Sequence, residues 1–315
     1  MSAAEVSRAR RGGSVPRILC AGIIVLDEVF RVEEFPQADG KVQAKGYFVV
    51  NGGCAANAAV AIARLGGRAM LASPLGGPAG KDDNGDRVLA ALARENVDAR
   101  ACQRVDGLST GLSAIFVDAR GDRTIVTYRD KRIATVAPRD PEAITAAADL
   151  VLADNRYPQF VRPICEAARR RNTRVVLDAD KATAVDDPLF RIATHAVFFT
   201  ECLSATTGRS DLGDGLKQIA QHTDAFLAVS NGPNDILYLE DGSIRRLPVF
   251  EIRAVDTLAA GDALHGGFAL ALAEGRSEVQ ALRFGAAVAG LKCSRVGGSG
   301  GMPTRAEVEA LMAKS

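Results

Sequence analysis

The chain has 315 residues, 47% of them hydrophobic, and Lys+Arg 39 against Asp+Glu 38 leaves a formal net charge of +1. That is enough apolar material for a large core, while a near-neutral surface has no field for gripping a phosphate backbone or an anionic bilayer, so no nucleic-acid partner is expected. No apolar run approaches the roughly 20 residues of a membrane span, and the six cysteines are scattered without a C-x-x-C pair, which reads as reduced thiols in a cytoplasmic protein.

Residues 1–15, with Arg8, Arg10, Arg11 and the Gly12-Gly13 pair, read as a flexible tail. Arg17 to Ile24 reads as a buried strand, Ala55 to Leu65 as a helix ended by Gly66-Gly67, Ala69 to Pro74 as a strand, and Asp83 to Glu95 as an amphipathic helix. Leu150 to Ala153, Val175 to Asp178, Ala196 to Thr200 and Phe226 to Ser230 supply four more short strands, with helical stretches such as Phe160 to Arg171 and Leu212 to His222 between them. Short apolar strands alternating with helices predict an α/β fold, a doubly wound and mainly parallel sheet covered on both faces. Two stretches break the rhythm: Val29 to Val50 and Leu112 to Tyr128 alternate in polarity and carry turn signals. They are expected to form one small discontinuous β-subdomain projecting from the sheet as a lid.

The densest chemical signal is Asp256-Thr257-Leu258-Ala259-Ala260-Gly261-Asp262, followed by a small-residue helix from Ala263 to Ala273. Small residues entering a helix leave backbone N–H groups unpaired at the positive end of its dipole, which is an anion site suited to a phosphate in transfer. A free carboxylate at Asp262 could accept the proton of a hydroxyl attacking that phosphate. An A-G-D triplet alone would more often be an ordinary N-cap; the seven-residue run is what tips the reading. Near the other end of the chain, Gly52-Gly53-Cys54-Ala55-Ala56-Asn57 is a Gly turn opening a helix that ends Arg64-Leu65-Gly66.

Together, in that order, these two segments resemble the signatures of the ribokinase-like (PfkB) carbohydrate kinase family, and the resemblance runs from Arg17 to Met312. It implies a kinase domain over residues 16–315, with the β lid inserted at about 29–50 and 112–128, and ATP-dependent phosphorylation of a primary hydroxyl on a ketose or related sugar. It further implies Asp262 as catalytic base, an anion hole at Ala259, Ala260 and Gly261, and a sugar held by Asp27, Gly52, Gly53 and Asn57. ATP would lie on Ser230, Gly232, Ala286, Ala289 and Gly290, the small residues of the helix Phe284 to Cys293 offering a shelf for the adenine. Mg2+ is implied near Glu201, although the family's N-x-x-E segment reads Thr200-Glu201-Cys202-Leu203 here. Asp256 and the loop Arg295 to Gly301 match where relatives bind a monovalent cation such as K+. Within the family the chain looks most like the branch of ketohexokinase and sulfofructose kinase. Lys41 and Arg156 resemble the two cations that would meet an anionic group on an acceptor such as 6-deoxy-6-sulfofructose; a solvated turn lysine is an equal reading of Lys41. The exposed strand faces of the lid suggest a homodimer. A neutral-sugar kinase, a nucleoside kinase and a non-catalytic binder on the same fold remain the alternatives.

Overall fold

The computed structural model describes residues 14–314, so the tail expected at residues 1–15 lies almost entirely outside the described residues. The strands, in chain order, are β1 (Arg17–Ala21), β2 (Val25–Arg31), β3 (Gly46–Gly52), β4 (Arg68–Ala72), β5 (Pro74–Gly77), β6 (Gln103–Asp106), β7 (Gly111–Val117), β8 (Arg123–Tyr128), β9 (Leu150–Asp154), β10 (Arg174–Ala179), β11 (His195–Phe199), β12 (Phe226–Asn231), β13 (Asn234–Glu240) and β14 (Ser243–Leu247). Eight of them form one sheet in the order β14-β13-β12-β11-β10-β9-β1-β4. From β4 to β12 every pairing is parallel; β13 and β14 extend the β12 edge in antiparallel fashion.

Helices cover both faces, which is why these strands are apolar at nearly every position rather than at every second one. Ile18 and Cys20 of β1 pack beneath the helices Cys54–Arg64, Ala260–Ala273 and Glu278–Cys293, while Leu19 and Ala21 face the core under the helices Pro158–Arg170 and Thr200–Thr207. Among the described residues, no helix is long and apolar enough to cross a membrane.

A second sheet of four strands, β3-β2-β7-β8, stands apart from the first and is built from the two stretches that broke the α/β rhythm. Its strands do not follow the expected bounds. The first predicted strand, Arg17 to Ile24, breaks after Ala21, where the buried Asp154 carboxylate accepts the Ile23 N–H at 2.7 Å. The chain leaves the main sheet there, and β2 begins at Val25 in the second sheet. Asp27 therefore lies within the small sheet, not at the end of the first main strand. Residues 32–45 form no strand. The β13–β14 hairpin was not anticipated either; its turn is Asp241-Gly242, both with positive φ (49° and 73°), the dipeptide that two-residue hairpins favour.

Candidate active site

The helix Ala260–Ala273 opens on Ala259, held in the left-handed region at φ 62°. It starts three residues before the expected Ala263, so Asp262 sits inside its first turn, with only 8% of its surface exposed. Gly261 is required there: a Cβ at this position would overlap the Phe199 ring at the end of β11. One turn later His265, fully buried, ties the helix to the sheet, with Nδ1 at 2.8 Å from the Gly261 carbonyl and Nε2 at 3.1 Å from the Val197 carbonyl. Burial lowers its pKa to about 4, so the ring that braces the helix is neutral at neutral pH.

The expected anion hole is only partly available. The Ala260 N–H is committed to the Thr257 carbonyl at 3.2 Å and that of Ala263 to the Ala259 carbonyl at 3.0 Å. Those of Ala259, Gly261 and Asp262 have no acceptor among the described residues. Three donors within one helix N-terminus can still hold an oxyanion.

Gly53, at φ 92°, turns β3 into the helix Cys54–Arg64, and a Cβ there would collide with the Ile23 carbonyl. Asn57 is the fourth residue of that helix. Its Nδ2 donates to Asp262 Oδ2 at 2.8 Å, joining segments 205 residues apart, while its Oδ1 is buried without a partner. Asp27 points from β2 at Gly52, whose lack of a side chain makes room for the carboxyl. Burial raises Asp27 to about 6, against the Ser113 hydrogen bond and the Arg129 charge.

Around Asp262 the structure gathers acidic groups that the sequence reading did not single out. Asp154 and Asp178 are register partners where β9 and β10 run out, and Asp180 follows just after β10. The signal was available, since ligands of open parallel sheets bind beyond the carboxyl ends of the strands and two adjacent strands lead into Asp residues. Burial raises Asp154 to about 6, with Asp180 adding to the effect, and burial together with the charges of Asp180 and Asp262 lifts Asp178 well above the carboxylate range. Asp262 is pushed up to about 7, chiefly by burial, then by Asp180 and Asp154, against the Asn57 hydrogen bond. A carboxyl near 7 is poised to take a proton at neutral pH. Cys54, at the start of its helix, donates its thiol toward Asp180 at 3.5 Å. Ligand atoms of Cys54, Asp178 and Asp262 lie within 4.8 Å of one another, close enough to share a cation.

Arg156 is the cation of this cluster, and it is ion-paired with Asp180. Lys41 lies on the exposed stretch between β2 and β3, and among the described residues no hydrogen bond or ion pair engages it. The nucleotide-side residues lie along the β12 end and the helix Glu278–Cys293. Ser230 donates to the Phe198 carbonyl at 3.3 Å, and Gly232 turns the chain at φ 56° into β13. That helix starts six residues before the expected Phe284, on a capping box between Ser277 and Gln280. Gly285 is not part of a shelf: it is buried against Leu264 and Gly267 where two helices cross. Ala286 is buried as well, whereas Ala289 and Gly290 are partly exposed, Gly290 beside Ile252. Glu201 is exposed on the first turn of Thr200–Thr207, while Leu203 is sealed in the core. Of those two, Glu201 alone could serve an Mg2+, which needs few protein ligands beside water and phosphate oxygens.

The monovalent-cation expectation meets an obstacle. The fully buried Lys292 sends its ammonium to the Asp256 carbonyl at 2.8 Å and the Arg295 carbonyl at 3.4 Å, with Asp256 Oδ2 at 3.3 Å. Burial alone would raise the Asp256 carboxyl, but the Leu258 N–H, the Lys292 charge and the Gly297 and Gly298 N–H groups hold it below its usual range. Three of the oxygens expected to surround a free cation, two from Asp256 and one from Arg295, already face an amine.

A doubly wound α/β sheet with a carboxylate inside the first turn of a helix, beside unpaired N–H groups, is an arrangement that can hold a phosphoryl group next to a base. The model of the pfkB family carbohydrate kinases matches residues 15–305, and the chain belongs to that family of ATP-dependent carbohydrate kinases. It is 28% identical over 295 residues to the ribokinase of Haemophilus influenzae, covering 91% of this chain and 95% of that one. The crystal structure of a provisionally named ribokinase from Agrobacterium tumefaciens superposes with a TM-score of 0.90 at 35% identity, over 96% of this chain and 98% of that one. Arabidopsis thaliana ribokinase, solved with ribose and ATP, shares the fold at a TM-score of 0.81 and 22% identity, over 96% of this chain and all of that one (100%).

Proposed function

We propose that this kinase transfers the γ-phosphoryl group of ATP to a primary hydroxyl of a ketose or similar sugar, with Asp262 as the general base. The observation that carries the reading is the hydrogen bond from Asn57 to Asp262, which joins the Gly-Gly turn to the anion-site turn at one buried carboxylate. Asp262 takes the hydroxyl proton, and the N–H groups of Ala259, Gly261 and Asp262 hold the transferred phosphate. Asn57 orients the base and offers its unpaired Oδ1 to a sugar hydroxyl; Asp27 accepts from others across Gly52 and Gly53. ATP would reach the site over Ser230, Gly232, Ala289 and Gly290, with Ala286 in the floor beneath. Magnesium, when bound, would shield phosphate charge, with Glu201 reaching it through water. The second sheet would close over the sugar and exclude water. The unbridged state of the six cysteines supports work in a reducing compartment such as the cytoplasm.

The acceptor's charge turns on Arg156. Paired with Asp180 beside Asp154, Asp178 and Asp262, it leaves the floor of the site net negative, which favours a neutral polyol. An anionic acceptor such as 6-deoxy-6-sulfofructose would have to draw Arg156 from Asp180 and recruit Lys41, gaining about one to two orders of magnitude in kcat/KM from a charge-assisted hydrogen bond. The test is an ADP-release assay over ribose, fructose, sulfofructose, sugar phosphates and nucleosides, with wild type and Lys41→Ala. A neutral sugar as best acceptor and a silent Lys41→Ala would remove the anionic reading; no turnover on any sugar would remove the proposal.

A homodimer is proposed through the outer face of the second sheet. By register, Phe30, Tyr47, Phe116, Val126 and Tyr128 share one face, and Tyr47, Val126 and Tyr128 are 54%, 61% and 62% exposed. Apolar side chains left in water on one sheet face favour a protein partner.

A further inference from the structure

We propose that the Lys292 ammonium is a built-in monovalent cation, which braces the turn before Asp262 and frees this kinase from any need for K+. The inference rests on the sugar-kinase reading of the site. The atoms within reach of Nζ are oxygens that only accept: two backbone carbonyls and one carboxylate. Such a cage demands a cation, and the amine supplies one on a tether, at no cost in lost translational freedom. Other carbonyls around the loop are engaged as well. Arg64 occupies the carbonyls of Gly300 (2.7 Å) and Met302 (3.0 Å), and the Cys293 carbonyl accepts the N–H groups of Val255 (2.7 Å) and Asp256 (3.1 Å).

The consequence reaches the reaction through one turn. Asp256 ties the Leu258 N–H on one side and the Gly297 N–H on the other, at 2.8 and 2.9 Å. Lys292 balances that carboxylate, so the segment 256–259, which carries the Ala259 N–H and leads into those of Gly261 and Asp262, is held against the 295–298 loop. Lys292 is a positioning residue, since it is the turn and not the ammonium that faces the phosphate.

The experiment measures wild-type turnover in potassium, sodium and tetramethylammonium buffers of equal ionic strength, then repeats the series with Lys292→Met. Wild type should vary by less than about twofold. Lys292→Met should lose at least about tenfold in tetramethylammonium, the order of one charge-assisted hydrogen bond, and recover much of it on titration with KCl or NH4Cl as the vacated oxygens take up a free cation. Wild type activated more than about fivefold by K+ over Na+, on the same scale, would overturn the inference, as would a fully active Lys292→Met in tetramethylammonium. Rescue separates positioning from mere folding, because a variant that is only unstable does not respond to the identity of the cation. Should Lys292→Met not fold, the wild-type salt series decides alone. Absence of turnover in every salt would count against the kinase reading itself, whereas turnover that appears only with K+ defeats this inference and spares that reading.

Discussion

Replacing Asp262 by Asn should make the protein at once inactive and more stable. The carboxyl is moved from 3.8 to about 7, mainly by burial. At about 1.36 kcal/mol per pH unit, the ionised form is about 4 kcal/mol costlier in the folded chain than in the unfolded one. A carboxyl raised in this way favours folding when protonated: that contribution is complete below pH 3.8 and is lost as pH rises through about 7. Wild type therefore bears the full penalty at about pH 8, whereas an amide of the same shape bears none and can keep the contact with Asn57. Part of the strain is shared with Asp154 and Asp178, so the net gain should be about 1–4 kcal/mol at pH 8 and shrink steadily toward pH 4. Turnover should fall about 10²–10⁴-fold, the usual contribution of a general base. Urea melts at pH 8 and 5.5, beside an ADP-release assay on the same samples, read both quantities. An Asn variant less stable than wild type at pH 8, or active within a few-fold, would refute both the buried-charge argument and the assignment of the base.

Other expectations follow from the same geometry. Asn57→Ala removes the hydrogen bond that holds Asp262 down, so the acid limb of the kcat/KM–pH profile should move to higher pH; an unmoved limb would show that the amide does not act on the base. Gly261→Ala drives a methyl into the Phe199 ring and should depress kcat at least about tenfold, since small displacements of catalytic groups are costly. A second change, Phe199→Ala, should restore part of that loss, and kinetics of the double variant check it. Val126→Glu should shift the chain toward monomer in light scattering while leaving the fold intact by circular dichroism; an unchanged mass, whether monomer or dimer, removes the outer sheet face as the interface.

The sequence by itself determined the fold class and singled out the two segments that meet at Asn57 and Asp262. Apolar strands alternating with helices report burial on both faces of a sheet, and the run Asp256 to Asp262 and the Gly52-Gly53 turn with Asn57 carry local chemistry that needs no partner to be recognised. The hairpin at Asp241-Gly242 and the helix start at Ser277 were also written locally, in an Asp-Gly turn and an S-x-x-Q cap, and could have been read. What only the tertiary structure decided is which distant residues meet. Asp154 and Asp178 look like ordinary strand ends until parallel pairing sets them side by side beneath Asp262, and Arg156 looks like a free cation until Asp180 claims it. Lys292 reads as one surface lysine in a helix until the fold closes over it and supplies oxygens from two loops. A periodic pattern records which side of an element is buried, but not what waits on that side; for charged groups, the identity of the buried neighbour sets both the protonation state and the role.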